Sequence, residues 1–309
     1  MEKEEYLKEL SRLLRSLSDE ERKKILEFYR EIIEDKMENG EAEEQAVKDL
    51  GDVRILAQKI LSENPNREGF KTHRAFWSSG ESVGKTYSIL ADGITSVILE
   101  AENQAISIVP SDTDEITVDY MESPGDNYSF FNEDGVFRMK HTESGRFRTV
   151  MIHWSGDETE KILVKVPASY RGDFSVNTTN SYIKIRNFSH IGSLKCKTAN
   201  SAIHLEEIFA KIIDCKTQNA VIKLKDVTAS ENLSADTENA AIKLESISAP
   251  VVSLETQNAL IKGTVSGRRE DYTVEARTSN AICNLQSGGS GPKKLKVRTS
   301  NAIIHISFQ

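Results

Sequence analysis

The sequence contains little cysteine, little proline and few aromatic residues. Its 309 residues include three cysteines, six prolines and 7% aromatic residues. Cys196, Cys215 and Cys283 form no CxxC pair and have no histidine at ligand spacing, which argues against a disulfide framework and a zinc site. The composition is that of neither a collagen nor a disordered chain. We therefore expect a folded protein with no metal and no cofactor.

Long apolar runs and a surplus of basic residues are also missing. No stretch approaches the roughly 18 consecutive apolar residues of a membrane helix, so the sequence predicts no transmembrane segment. The N-terminus, MEKEEYLKEL, carries charges where a signal peptide needs an apolar core. This favours a cytoplasmic location, with the cell surface reached only by an unrecognised route. The net charge of −8 argues against direct binding to nucleic acid, which depends on Lys and Arg.

Residues 1–62 have the apolar periodicity of a helical domain. Leu7, Leu10 and Leu14 recur on one helical face, and Ser18 with Glu21 matches the spacing of a capping box. The asparagine and glycine at 39–40 are residues that commonly cap the C-terminus of a helix. We expect helices over 3–16, 18–39, 41–50 and 55–61.

This front block resembles the small HAAS-type helical domain of bacteria. The resemblance rests on the early LKEL pattern and on NGEAEEQAVKDLGDVRILAQKI at 39–60. In relatives this domain often accompanies membrane segments and neighbours PadR-like transcriptional regulators, which implies signalling or partner docking. A helical cap or an oligomerisation module is the simpler alternative. With 12 Lys and Arg against 17 Asp and Glu, the block is a poor DNA-binding candidate.

Residues 63–82 lack apolar periodicity and predict a linker. At its end, SGESVGKT (79–86) is one glycine short of a nucleotide-binding P-loop, because Ser79 stands in the place of the first glycine. A P-loop also needs a buried strand before it and a helix after it. The flanking residues supply neither, so we expect no nucleotide binding.

An octapeptide centred on asparagine recurs along the second half of the chain. Its forms include TTNSYIKI, TANSAIHL, TQNAVIKL and TSNAIIHI, at intervals of 19 to 22 residues. An earlier relative, EAENQAISI, contains Asn103. A period near 20 residues indicates a solenoid. The repeated asparagines are Asn180, Asn200, Asn219, Asn239, Asn258, Asn280 and Asn301.

Apolar residues stand six and four places before each asparagine and mostly three and five places after it, with polar residues between them. This is the alternation of strands that are buried on one face, and stacked repeats would share one core. Each repeat is expected to form a rung of strand, asparagine corner, strand and short return. Asparagine suits a corner because it tolerates left-handed backbone, and stacked amides can bond along the axis.

The sequence therefore predicts a mainly β protein with a small all-α domain in front. The β part is expected to be a right-handed parallel β-solenoid over 83–309, with rungs of about 20 residues and asparagine corners. Residues 110–160 interrupt the repeat and predict hairpin or cap insertions. Residues 170–309 form the regular rungs. The last rung, ending in IIHISFQ, is expected to leave an open edge, through which two molecules would form a homodimer.

Residues 83–309 also resemble a bacterial family of candidate adhesins of unknown function. The resemblance rests on SVILEAENQAISIVPSDTDEITVDY at 96–120, ILVKVPAS at 162–169 and the repeats. Relatives commonly have Ser-Gly-Asp at the corner, where this chain has Asn-Ala or Asn-Ser. The resemblance implies a β-solenoid and surface attachment. Some relatives are linked to envelope-stress operons. The resemblance therefore also implies a cytoplasmic accessory role as the alternative to surface attachment.

Two outward columns of the second strand predict a candidate interaction face. The position two places after asparagine is mainly apolar, and the position four places after it is mainly Lys or His. Either the chain's own front segments or helical domain cover the apolar column, or a partner binds there. The candidate residues are Tyr182, Val221, Leu260, Ile282, Ile303, Lys184, Lys223, Lys243 and Lys262.

No cluster of catalytic residues is evident in the sequence. Outward carboxylates such as Asp236 and Glu255 alternate with Lys and Arg, whereas a polysaccharide-cleaving solenoid needs them grouped on one face. We therefore expect a non-enzymatic scaffold: a regulatory or envelope-stress accessory that binds a protein partner, either a regulator or a membrane protein. An adhesin-like binder of surface glycans or proteins is the alternative, and a polysaccharide-active enzyme is the remote one.

Overall fold

The chain forms two compact units, one that contains the helices and one that contains the strands. The computed structural model describes residues 3–15, 17, 19–38, 42–48, 50, 53–54, 56–57, 83–122, 125–143 and 162–309. The predicted linker over 63–82 lies outside the described residues. Residues 144–160 of the predicted insertion over 110–160 also lie outside them.

The described part of the first unit contains three helices and the short helical stretches at 53–54 and 56–57. The three helices are α1 (Lys3–Leu13), α2 (Asp19–Glu38) and α3 (Glu43–Lys48). Tyr6, Leu10 and Ile33 are almost inaccessible to solvent and share one apolar core. The predicted cap at Ser18, the predicted helix end at 39–40 and most of the predicted helix over 55–61 lie outside the described residues. None of the three helices has the length and apolarity of a membrane span.

One mostly parallel sheet forms the second unit, with seventeen strands among the described residues. The strands are β1 (Val83–Leu90), β2 (Ser96–Ala101), β3 (Ile106–Ser111), β4 (Glu115–Glu122), β5 (Asp126–Glu133), β6 (Val136–Glu143), β7 (Ile162–Pro167), β8 (Asp173–Thr178), β9 (Ile183–Lys197), β10 (Ile203–Lys216), β11 (Ile222–Thr237), β12 (Ile242–Ser248), β13 (Val251–Thr256), β14 (Ile261–Val265), β15 (Tyr272–Arg277), β16 (Lys293–Arg298) and β17 (Ile304–Phe308).

Parallel partners occupy the same position in neighbouring repeats. Ile183 aligns with Ile203, which aligns with Ile222 and then with Ile242. Side chains alternate across a strand, so a shared register places every apolar column on the same side of the sheet. Each of these four isoleucines is fully buried in one core cluster that extends through the unit.

In the repeats of β9, β10 and β11, the second bend differs from the predicted short return. β9, β10 and β11 continue without a break from one octapeptide to the next. They bend at residues with positive φ, which lie seven places after the repeat asparagine: Asn187 (64°), Glu207 (53°) and Asp226 (51°). Of the octapeptide asparagines and Asn103, Asn103 alone has a positive φ, at 57°. The tolerance of asparagine for left-handed backbone therefore does not explain its presence at the seven corners.

Antiparallel strands close the end of the sheet that precedes the repeats. β1 pairs antiparallel with β4, and β5 pairs antiparallel with β6. β6 then joins β2 in parallel, and β4 joins β7. The rings of Tyr87 on β1 and Phe130 on β5 stack with their centroids 4.2 Å apart, so the two outer pairs pack on each other.

At the other end, the last two repeats stack in the reverse of their chain order. β16 lies between β13 and β15, and β17 pairs with β14. The prediction that the C-terminal rung leaves an open edge is therefore wrong for β16, which is paired on both sides. The homodimer through this rung stays a prediction. The outer layer is formed by residues 272–288.

The outer layer also protects the C-terminal strand with a side chain. Asn284 Nδ2 donates to the carbonyl oxygen of Ile306 at 2.8 Å, and the Ile306 N–H donates to Asn284 Oδ1 at 3.0 Å. One amide side chain thus occupies the position of a neighbouring strand. The free backbone groups of an edge strand can pair with a strand of another chain. The Asn284 amide occupies these groups at Ile306 and so hinders such pairing there.

Candidate functional site

The repeat asparagines form one continuous chain of side-chain hydrogen bonds, which we call the asparagine ladder. Each Nδ2 donates to the Oδ1 of the asparagine in the preceding layer, at 2.6 to 2.8 Å. All donors point in one direction, and the Nδ2 of Asn103 donates to Glu143 Oε2 at 3.2 Å. In spatial order the ladder is Asn103, Asn180, Asn200, Asn219, Asn239, Asn258, Asn301 and Asn280.

Threonines two places before the asparagines connect the same layers. Thr217 Oγ1 lies 3.4 Å from the carbonyl oxygen of Ala199 and 3.3 Å from that of Ser201, in the preceding repeat. Thr237 and Thr299 make the same double contact and, like Thr217, are almost fully buried. A buried hydroxyl needs a partner, and these carbonyls supply one. The threonine column is therefore structural.

Six basic side chains share one outward column of the sheet, which we call the basic column. Its members succeed one another in direct Cα register, although neighbouring strands lie only about 4.8 Å apart. Most of them are half-buried. In spatial order they are Lys184, His204, Lys223, Lys243, Lys262 and His305.

The next outward column, two residues further along each strand, alternates in charge. Arg186, Glu206, Lys225 and Glu245 follow one another in register. Lys225 Nζ lies 3.0 Å from Glu206 Oε1, and this hydrogen bond lowers the pKa of Glu206 and raises the pKa of Lys225. In this column, side chains of opposite charge in adjacent layers neutralise each other.

The apolar column beside the basic column is exposed at its two ends. Tyr182 is 37% exposed at one end, and Ile303 and Ile282 are 47% and 74% exposed at the other. Between them, Val221 is half-buried and Leu260 is only 9% exposed. The predicted apolar residues thus form two patches and not one continuous stripe.

An open groove of about 740 Å³ lies on the first-strand side of the repeats. Its lining mixes carboxylates such as Glu100 and Asp236 with lysines such as Lys197 and Lys216, and with threonine and asparagine side chains. Burial, with a smaller contribution from Glu255, raises the pKa of Asp236.

A buried histidine lies between two carboxylates at one end of this groove. Asp126 on β5 faces Glu143 on β6, and His141 precedes Glu143 by two residues on the same face. One ligand atom from each residue lies within 4.8 Å of the others. His141 is 1% exposed, and neither of its ring nitrogens has a hydrogen-bond partner among the described residues. The sequence interpretation missed this cluster, whose signal is His-x-Glu on a strand opposite an aspartate.

The described half of the P-loop-like segment is part of a strand. Lys85 in β1 forms an ion pair with Glu122, and Thr86 Oγ1 donates to Asp119 Oδ1 at 2.6 Å. Residues 79–82 of the segment lie outside the described residues. A strand with an engaged lysine does not present a phosphate-binding loop followed by a helix.

The cysteines play no evident chemical role. Cys196 and Cys215 are adjacent in register and buried in the core as free thiols. A hydrogen bond with Cys196, together with burial, raises the pKa of Cys215, which makes its reactive thiolate scarce. Cys283, in the outer layer, is half-buried.

Comparisons with known proteins agree with this architecture. Residues 5–59 match the HAAS family, and residues 94–280 match the family described as Toastrack DUF4097. No curated protein matches the chain. Both resemblances drawn from the sequence, to the HAAS domain and to the adhesin-like family of unknown function, are confirmed.

Two crystal structures are similar to the chain. One is a candidate cell adhesion protein from Clostridium sporogenes, with 9% identity and a TM-score of 0.33 over 74% of this chain and 100% of that one. The other is a candidate adhesin from Parabacteroides distasonis, with 11% identity and a TM-score of 0.36 over 73% of this chain and 98% of that one. Because the Toastrack DUF4097 model matches more than half of its residues, the chain belongs to the Toastrack DUF4097 family and carries a HAAS domain in front.

Proposed function

We propose that the protein is a non-enzymatic interaction scaffold that binds an acidic protein partner along its basic column. The β unit would then serve as a rigid right-handed parallel β-solenoid, with rungs of about 20 residues that repeat the same outward chemistry at each layer. The observation that supports this proposal is the succession of six in-register basic side chains from Lys184 to His305.

The basic column concentrates charge of one sign on one outward face. Lys223, Lys243 and Lys262 succeed one another in register, whereas the next column alternates in sign, with Glu206 and Lys225 in contact. A partner that presents acidic side chains would complement the charge of this face. Complementary charge also raises association rates and selects against basic partners.

The two exposed apolar patches would add area to this contact. Tyr182 lies beside Lys184 at one end of the column, and Ile303 lies beside His305 at the other. Aromatic and aliphatic anchors flanked by charge are typical of protein interfaces. We infer that the partner is a regulator or a membrane protein, and that the protein serves as a regulatory or envelope-stress accessory in the cytoplasm.

Charge reversal on the basic column tests the proposal. Native partners would be captured on the full-length protein, on a Lys223→Glu/Lys243→Glu variant, and on a Lys195→Glu/Lys197→Glu control with the same change in net charge. Lys195 and Lys197 are exposed and point outward from the first-strand side. We expect at least one captured protein to bind the wild type and the control and not to bind the Lys223→Glu/Lys243→Glu variant. Equal retention by all three would refute docking on the basic column.

Cell fractionation addresses location separately. Recovery in the cytoplasm together with the captured partner fits the accessory role. Recovery at the cell surface contradicts the proposed location and favours the second candidate, an adhesin-like binder of surface glycans or proteins.

The groove gives that second candidate a specific site. Its hydroxyl, amide and charged side chains are groups that hydrogen-bond to sugars or to polar peptide segments. Binding to a glycan array that the Lys195→Glu/Lys197→Glu variant loses, and the Lys223→Glu/Lys243→Glu variant retains, would favour this candidate over the basic column.

A further inference from the structure

We propose that Asp126, His141 and Glu143 form a binding site for a divalent transition-metal ion, with zinc as the ion to test. The three residues come from one antiparallel hairpin, β5 and β6. This inference concerns a different part of the sheet from the basic column and does not depend on the proposed function.

The first observation is the unusual state of His141. Its side chain is buried, and in the part of the chain that the structure describes both ring nitrogens lack a hydrogen-bond partner. Burying a polar group without a partner costs free energy, and nearly all such groups in proteins are paired. A bound ion gives the imidazole a bonded partner, whereas no described residue lies within hydrogen-bonding geometry of either ring nitrogen. The ring of Tyr128 packs against it, with the two centroids 4.5 Å apart, and helps to fix its orientation.

The second observation is the distance between the donor atoms. His141 Nε2 lies 3.5 Å from Asp126 Oδ1, which is long for a hydrogen bond. Two ligand atoms that each lie about 2.0–2.2 Å from a tetrahedral zinc ion are about 3.4 Å apart. The observed separation therefore matches two ligands of one ion. Because all three donor atoms lie within 4.8 Å of one another, Glu143 needs only a small movement to complete the set.

The third observation is the support around Glu143. Its Oε2 accepts a hydrogen bond from Asn103 Nδ2 at 3.2 Å, and its backbone N–H donates to Glu102 Oε2 at 3.3 Å. Asn103 is the first member of the asparagine ladder, so the ladder's donors all point toward this carboxylate and hold one of its oxygens in place. Carboxylates that ligate metals are commonly held by such outer hydrogen bonds.

The donor set also indicates the class of ion. Imidazole is a ligand for zinc and other transition metals, whereas calcium and magnesium prefer oxygen ligands alone. Three protein ligands leave a fourth tetrahedral position for another group. His141 lines the groove, so that position is accessible to a water molecule or to an anionic group of a bound ligand.

Isothermal titration calorimetry with zinc on the metal-free full-length protein tests the site. We expect one zinc ion per chain, and at least about a tenfold loss of affinity in both His141→Ala and Glu143→Gln. Glu143→Gln conserves the size of the side chain, so it tests the site even if His141→Ala disturbs the fold. The matched controls His305→Ala and Glu133→Gln change exposed residues elsewhere in the β unit and should bind as the wild type does.

Thermal unfolding supplies an independent readout. Zinc should raise the melting temperature of the wild type and of both controls, because it binds the folded state, and should leave His141→Ala unchanged. Absence of saturable binding would overturn the proposal. Binding that persists unchanged in both His141→Ala and Glu143→Gln would also overturn it, because the zinc would then lie at cysteines or at surface histidines.

Discussion

Replacing Asn219 by alanine removes two hydrogen bonds from the middle of the asparagine ladder. Asn219 Nδ2 donates to Asn200 Oδ1 at 2.8 Å, and Asn219 Oδ1 accepts from Asn239 Nδ2 at 2.8 Å. The substitution leaves the backbone pairing of the layer in place, because the N–H of Asn219 donates to the carbonyl oxygen of Ala199. The effect on stability therefore reports on the side-chain ladder.

The size of the effect follows from the number of bonds and from their exposure. A hydrogen bond contributes about 0.5–1.5 kcal/mol to stability, so two bonds contribute roughly 1–3 kcal/mol. The asparagine side chains are exposed, and water can replace the lost partners. We therefore expect a loss of about 1–2 kcal/mol, which corresponds to a decrease in melting temperature of roughly 2–8 °C for a unit of this size.

The end of the ladder provides an internal comparison. Asn280 occupies the outermost layer and makes one ladder bond, to Asn301 at 2.7 Å. Asn280→Ala should therefore cost about half as much as Asn219→Ala. Gln218→Ala, at an exposed neighbouring position, should change the stability by less than about 0.5 kcal/mol. Urea unfolding followed by the far-ultraviolet circular dichroism of the β unit measures all three.

Two results would refute this reasoning. If Asn219→Ala and Gln218→Ala unfold at the same urea concentration, the ladder does not contribute to stability. If Asn280→Ala costs as much as Asn219→Ala, the loss does not scale with the number of ladder bonds, and it arises from the corner backbone instead.

Three further predictions concern single positions in the β unit. Gly263→Ala should lower the urea midpoint and cost at least about 2 kcal/mol, because φ is 135° and a Cβ would lie 1.9 Å from the Leu244 carbonyl oxygen; an unchanged midpoint contradicts this. Ellman's reagent should label Cys283 alone in the native protein and all three cysteines after unfolding, and early labelling of a second thiol would oppose the observed burial. Burial, with a smaller contribution from Glu255, raises the pKa of Asp236 in the folded state. The ionised Asp236 therefore destabilises the folded protein at neutral pH. This destabilisation disappears below the ordinary pKa of 3.8, where the carboxyl group is protonated in both the folded and the unfolded state. Asp236→Asn should therefore stabilise the protein at neutral pH, and a gain that grew on acidification would contradict the assignment.

Local periodicity in the sequence was enough to identify the core. Leu194, Ile213 and Leu233 stand six places before their asparagines, and the structure aligns all three in one buried column. The same holds for Tyr6 and Leu10 in the helical unit. Burial of one face imposes a period on the chain, so the pattern of apolar residues reveals that face directly.

Exposure was harder to predict than orientation. Leu260 and Ile303 occupy the same outward position in their repeats, yet the first is 9% exposed and the second is 47% exposed. Alternation along a strand determines the side of the sheet on which a residue lies. How much solvent reaches it depends on the side chains of the layers above and below, which the strand's own sequence does not contain.

The sequence by itself thus determined the repeat, the buried columns and the asparagine ladder, because each of them recurs at a fixed interval. The tertiary structure alone decided that β16 lies between β13 and β15, since every repeat offers the same columns and any two can pair. It also brought together Asp126, His141 and Glu143. These residues occur once each, on two strands whose pairing sets their distance, and a non-repeating contact leaves no period in the sequence to reveal it.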